Sequence, residues 1–247
     1  MIQLPTEPKL VSKVDNKAIF EIAPLYPGYG ITIGNSLRRV LISSISGAAI
    51  TSVKIKGVDH EFTTIPGVME DILEIIMNLK RVRFKVFIDE PVTLTLSAKG
   101  AGDITANNIA ETADVEVVNP DQKIATITDK KTEVEMEIKV EKGVGYVPVE
   151  QRHKEKLTVG EIAIDGIFTP IRNVHYTVEN IRVGQRTDYN KIILEIETDG
   201  SISPEETLQT ASQIMLDHFQ IMHAVQLPEK VEKKVVKEKK TKKKKDE

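Results

Sequence analysis

A chain of 247 residues with no Cys, no Trp and only 4% aromatic residues must fill its core with Ile, Val and Leu, and it offers no thiolate to a disulfide or a metal. At this length roughly 70–75% of the unfolded surface is buried on folding, which is enough for one large unit or two intertwined ones. The formal charge of −3 hides an asymmetry: residues 229–247 hold ten Lys against five acids, which leaves residues 1–228 at −8 and gives an acidic body with a basic, Lys-rich tail expected to be disordered.

The amino terminus, Met1-Ile2-Gln3-Leu4-Pro5-Thr6-Glu7, carries neither a basic leader nor an apolar core. No apolar run approaches the about 18 residues of a membrane span, so the expectation is a cytoplasmic chain that does not meet a membrane. Residues 9–25 then alternate loosely through Ala18, Phe20 and Ile22, which predicts one edge strand. Pro27-Gly28 marks a turn, and the spacing predicts a helix over residues 33–46 ended by a left-handed Gly47.

On that first helix Ile33, Leu37, Val40, Leu41, Ser44 and Ile45 gather into one stripe. The opposite side holds Arg39, Ile42, Ser43 and Ser46, with no Lys or Glu to make an ordinary solvated face, which points to a docked partner. Gly28, Gly30 and Gly34 do not have the dinucleotide spacing and no Lys-Ser or Lys-Thr follows, so a turn feeding a helix outweighs a phosphate loop.

Residues 48–56 alternate Ile50, Ser52 and Lys54 against Thr51, Val53 and Ile55 as a half-buried strand. Pro66 then opens a second helix through Val68, Ile72, Ile75, Ile76 and Leu79, with Glu70, Asp71, Glu74 and Asn78 on its polar side and Lys80-Arg81 at its carboxyl end. From residue 83 to 165 the pattern is one of one-faced antiparallel strands, clearest in Val134, Met136, Ile138 and Val140 set against Glu133, Glu135, Glu137 and Lys139. Residues 143–148 predict a bend, and the charged residues 150–158 a mobile stretch.

Val174, Tyr176 and Val178 mark one later strand, and Ile192, Leu194 and Ile196 another. Ser203-Pro204-Glu205-Glu206 opens the last helix with a cap, a first-position Pro and a Glu three residues after the cap. Leu208, Ala211, Met215, Phe219, Met222 and Val225 form its stripe and Leu227-Pro228 its stop. So much apolar surface near one end of the sequence points to pairing with another helix.

Taken in order, residues 28–44, Gly57-Val58-Asp59-His60-Glu61-Phe62, Glu70-Asp71-Ile72-Leu73-Glu74-Ile75, Gly143-Val144-Gly145-Tyr146-Val147-Pro148, Arg186-Thr187-Asp188 and Asp199-Gly200-Ser201-Ile202-Ser203-Pro204-Glu205-Glu206 resemble the amino-terminal domain of the bacterial RNA polymerase α subunit. The resemblance spans residues 9–226 and implies an α+β fold. Residues 1–46 and 171–228 would form a dimerisation subdomain of helices packed on an antiparallel sheet, and residues 47–170 an inserted, mostly-β subdomain. It further implies a non-catalytic subunit that homodimerises and scaffolds the β and β′ subunits of a DNA-directed RNA polymerase. Leu37, Val40, Leu41 and Ile45 of the first helix and Leu208, Ala211, Met215, Phe219 and Met222 of the last would lie at the dimer contact.

Arg39 matches the family's main β-contact arginine, with Arg38 and Ile42 beside it, while Lys80 and Ile164, the latter next to Asp165, match positions that contact the large subunits. Taken without the resemblance, Lys80 serves as well as a charge at a helix terminus, and Ile164 belongs to a core. The family's members continue into a compact carboxyl-terminal DNA-binding domain where this sequence ends in lysines. DNA contact is therefore expected only through the holoenzyme, or weakly through tail phosphate contacts that compete with plain solvation.

An autonomous enzyme finds no support. His60, His153, His175, His218 and His223 are scattered, and His218 and His223 stand about 140° apart on a helix, so no metal or cofactor is expected. No H-E-x-x-H, G-x-S-x-G or Walker motif occurs. An acidic, aromatic-poor body also argues against a free-standing nucleic-acid module.

Overall fold

In the computed structural model, which describes residues 2–110, 112–152, 158 and 160–225, the first apolar alternation folds back on itself. The single strand expected over residues 9–25 is a hairpin of β1 (Lys9–Val14) and β2 (Lys17–Leu25), turned at Asp15, whose φ of 49° lies in the left-handed region. Helix α1 (Tyr29–Ser44) follows, then β3 (Ser46–Ile55), α2 (Ile72–Leu79), β4 (Phe84–Val86), β5 (Val92–Lys99) and β6 (Gly102–Thr105). The chain continues through β7 (Val115–Val117), β8 (Lys123–Ile127), β9 (Glu133–Val144), β10 (Tyr146–Val147), β11 (Glu161–Ala163) and β12 (Gly166–Ile167). Two long strands, β13 (Ile171–Val183) and β14 (Arg186–Thr198), lead into the last helix, α3 (Pro204–His223).

The fold is α+β, with two four-stranded antiparallel sheets. One runs β1-β2-β14-β13, drawing its strands from both ends of the sequence, and the other runs β11-β3-β9-β5. Each sheet owns a hydrophobic core. The first joins Phe20, Leu25, Leu37, Leu41, Ile192 and Leu194 beneath α1 and the start of α3. The second lies wholly between residues 50 and 164 and packs Ile72, Ile75 and Leu79 of α2 against Val53, Leu94, Leu96 and Ile138. Fully burying one such side chain contributes about 1.5–3 kcal/mol.

Four local expectations are corrected. Helix α1 begins at Tyr29, not residue 33, and ends at Ser44 because Ile45 turns extended at ψ 127°. Gly47 is therefore not its cap but a residue of β3, glycine because a Cβ there would run into the carbonyl oxygen of Phe168. Helix α2 begins at Ile72, not Pro66: Gly67 sits at φ 81°, Val68 bridges to Ile127, and Met69 N–H donates to the Thr126 carbonyl at 3.0 Å, so this backbone pairs as a strand. Residues 143–148 are mostly strand, with the turn confined to Gly145 at φ 69°.

Strand β3 is also more deeply covered than its alternation implies. A bulge between Ile50 and Ser52 in the β3–β9 register leaves Ile50, Thr51, Ser52 and Val53 all buried. Most of the charged stretch at residues 150–158 and the Lys-rich tail lie outside the described residues. Among those described, no helix is long and apolar enough to cross a membrane.

Candidate functional site

Helix α1 lies flat on β13 and β14 because its inner face lacks side chains at two points. Cβ atoms at Gly30 and Gly34 would stand 2.6 Å from Val178 Cγ1 and 2.6 Å from Tyr176 Cδ2 respectively. One helical turn further on, Leu37 and Leu41 close the core. The three glycines of this region thus serve a turn and a close approach, and the amides that a phosphate would need are already used. Gly28 N–H and Gly30 N–H both donate to Asn190 Oδ1 of β14, at 2.8 and 3.3 Å.

The outer face of α1 presents Ile31, Asn35, Arg38, Arg39 and Ile42 to solvent. Arg38 is tethered, its Nε donating to the Val174 carbonyl at 3.3 Å. Arg39 is exposed, and the carbonyl behind it accepts from Ser43 Oγ at 2.7 Å. A planar guanidinium flanked by Ile42 suits recognition of a carboxylate or carbonyl at the edge of an apolar contact.

The structure brings Lys80 and Asp165 together across 85 positions: Lys80 Nζ donates to Asp165 Oδ2 at 3.0 Å, and Val149 N–H donates to Asp165 Oδ1 at 3.1 Å. The Lys80 ammonium first, and the Val149 amide next, hold the Asp165 carboxyl below its ordinary range. Ile164 stands apart from this pair. It is buried in the second core, and its N–H donates to the Thr51 carbonyl at 2.9 Å, so it supports Asp165 from beneath without offering a surface.

Sequence reasoning missed the apolar surface leading to Lys80. Met69, Leu73 and Met77 recur every fourth residue and are all exposed, and the Thr63 carbonyl accepts from Ile72 N–H at 3.3 Å, bringing exposed Phe62 to the same end of α2. The signal was present, since Leu73 and Met77 fall on the side assigned as polar.

Helix α3 is split between cover and overhang. Its start carries the expected box: Ser203 Oγ accepts from Glu206 N–H at 3.2 Å while Glu206 Oε2 accepts from Ser203 N–H at 3.2 Å, with Pro204 in the first turn. Thr207, Leu208 and Ala211 are buried, yet every residue from Leu216 to Val225 is exposed, including Phe219 at 58% and Met222 at 66%.

Of the nine residues expected at a dimer contact, Leu37, Leu41, Ile45, Leu208 and Ala211 are enclosed in the chain's own core. Val40 and Met215 are half-buried at its edge, and Phe219 and Met222 are free. A groove of about 380 Å³ runs between the two helices, lined among others by Ser36, Arg39, Val40, Met215, Phe219 and Met222. Arg39 thus stands at the lip of this groove as well as on the outer face of α1.

The segment between the two halves of the first sheet matches a known family model, the RNA polymerase Rpb3/RpoA insert domain, over residues 53–169. The match falls on the second sheet and its core, between the parts of the chain that share the first. Across the larger part of the chain, relatives carry one name, DNA-directed RNA polymerase subunit alpha. That of Roseiflexus sp. (strain RS-1) is 49% identical over 86% of this chain and 65% of its own length. That of Moorella thermoacetica is 51% identical over 84% and 66%, and that of Alkaliphilus oremlandii 48% identical over 90% and 71%. The chain belongs to the family of DNA-directed RNA polymerase α subunits. It spans under two thirds of the length of the Roseiflexus and Moorella relatives.

Proposed function

We propose that this chain is a non-catalytic assembly subunit of a DNA-directed RNA polymerase in the cytoplasm. Residues 1–46 and 171–228 pair with a second copy of the chain, and the dimer receives the β and β′ subunits. Residues 47–170 are the inserted unit, and DNA is met through the assembled enzyme or weakly through the Lys-rich tail. The observation that carries the reading is the overhang of α3. A helix whose last two turns bury nothing, yet hold Leu216, Phe219, Ile221 and Met222, requires a second surface to cover them.

The groove beside it supplies that surface from the other copy, since a two-fold axis makes each α3 end the occupant of its partner's groove. Pairing leaves two kinds of surface for larger partners. One is the outer face of α1, with Arg38, Arg39 and Ile42. The other is the Lys80–Asp165 pair, with Ile164 beneath it and the exposed Met69, Leu73 and Met77 leading to it. Both combine an apolar area with a few fixed charges, the composition of a specific docking patch.

The test is reconstitution from separately purified chains, with the mass of each product measured by light scattering. A dimer that takes up one β and one β′ supports the reading. A monomer, or a dimer that takes up neither, removes it.

A further inference from the structure

Helix α1 has no N-terminal cap of its own. It opens at Gly28, in the left-handed region at φ 86°, with no side chain to accept from the first amides and no acidic residue in the first turn. A helix start leaves its first amides without intrahelical partners, and a glycine at the cap offers them no side-chain acceptor. The acceptor comes from 162 positions away: Asn190 Oδ1 takes Gly28 N–H at 2.8 Å and Gly30 N–H at 3.3 Å. The amide is oriented by a second asparagine, because Asn190 Nδ2 donates to Asn180 Oδ1 at 3.1 Å and the two residues are register partners across β13 and β14.

The rest of α1 is held differently. Leu37 and Leu41 anchor its second half in the core, whereas the first half has Gly30 and Gly34 as its only buried residues. Of the apolar side chains there, Ile33 reaches the edge of the core and is only half-buried. The position of the first two turns, and so of Ile31 and Asn35 on the outer face, depends on the Asn190 hydrogen bonds, on how closely the glycines approach the sheet and on the half-buried Ile33. Asn190 is itself buried on a strand paired on both sides, which makes it a rigid post.

We infer that Asn190, oriented by Asn180, is the positioning residue that sets the placement of the docking helix α1. The inference rests on the reading that the outer face of α1 receives a large subunit. It assigns Asn190 no contact with the partner and gives it effect only through α1.

The test uses the full chain with Asn190→Leu, which keeps the shape and removes the acceptor, and Asn190→Asp, which keeps the acceptor, adds a charge favourable at a helix start and lets the Asn180 amide turn so that its Nδ2 donates to the second carboxylate oxygen. Hydrogen exchange over residues 28–36, β capture and dimer mass are measured together. Asn190→Leu is expected to speed exchange over that peptide at least tenfold and cut β capture at least fivefold while the dimer mass is kept. Asn190→Asp should return both to within twofold of the parent.

Unchanged exchange in Asn190→Leu, or an Asn190→Asp chain as impaired as Asn190→Leu, overturns the inference. Should Asn190→Leu fail to fold, Asn180→Ala removes only the orienting partner and is expected to raise exchange over the same peptide two- to fivefold; no rise overturns the inference equally. A parent chain that captures no β removes the docking reading alone, and the exchange data then decide whether Asn190 holds α1.

Discussion

Truncating Phe219 to Ala measures how much the overhanging end of α3 contributes to pairing. A Phe side chain offers about 150–250 Å² for burial, and Phe219 keeps 58% of its surface exposed in the single chain, so about 115 Å² remains for a partner to cover. At about 25 cal/mol per Å² that is nearly 3 kcal/mol, of which the retained Cβ keeps a share, leaving a loss of about 2 kcal/mol per copy. A two-fold dimer contains the contact twice, so the loss is about 4 kcal/mol and the dimer Kd rises about a thousandfold. Sedimentation equilibrium over a range of concentrations reads this directly. Phe62→Ala, which removes a still more exposed ring on the inserted unit, is the control and should leave the Kd unchanged. A Phe219→Ala dimer within threefold of the parent would refute the assignment of α3 to the pairing surface.

Arg39→Ala should lower β capture at least tenfold, the size of a lost charge-assisted hydrogen bond, while moving the dimer Kd less than threefold because Arg39 stands at the lip of the groove; pull-down and sedimentation separate the two. Gly34→Ala drives a methyl to 2.6 Å from the Tyr176 ring, an overpacking of about 1–3 kcal/mol that should lower Tm by roughly 3–10 °C in calorimetry. Asp165 titrates below its ordinary value of 3.8 because of Lys80 and the Val149 amide, so its stabilisation is present above that value and is lost as pH falls through the lower, folded pKa. Denaturant titrations from pH 6 downward should therefore show Asp165→Asn less stable than the parent at pH 6, with the gap closing in acid; a constant gap would contradict the ion-pair account.

What could be read in the sequence was whatever its own neighbours decide. The Ser203–Glu206 box lies within four residues, and β9 alternates because one of its faces is dry, so both were legible residue by residue. The errors fall where a distant element intervenes. Gly30 and Gly34 are bare because Val178 and Tyr176 press on them, Gly47 because of Phe168, and no local pattern announces a neighbour more than a hundred positions away. Pro66 looked like a helix start until Gly67 and the pairing with β8 claimed the same backbone. The hairpin at Asp15 was hidden because its turn uses no glycine. Lys80 and Asp165 were named through family resemblance, and their ion pair became visible only once α2 and the segment after β11 were placed together.

The split origin of the first sheet governs the order in which the chain can fold during synthesis. Gly28 and its acceptor Asn190 are separated by 162 positions, so at 5–20 residues per second α1 waits about 10–30 s for the strand that holds it. The core between residues 50 and 164 is complete by then and needs nothing from either end. Leu37 and Leu41, by contrast, have only the β2 part of their core, Phe20 and Leu25 among it, for most of the interval, because Ile192 and Leu194 are not yet made. The nascent chain thus carries a finished β unit behind a sticky helix, a natural substrate for ribosome-associated chaperones and, in a crowded polysome, for premature contact with a neighbour at the same stage.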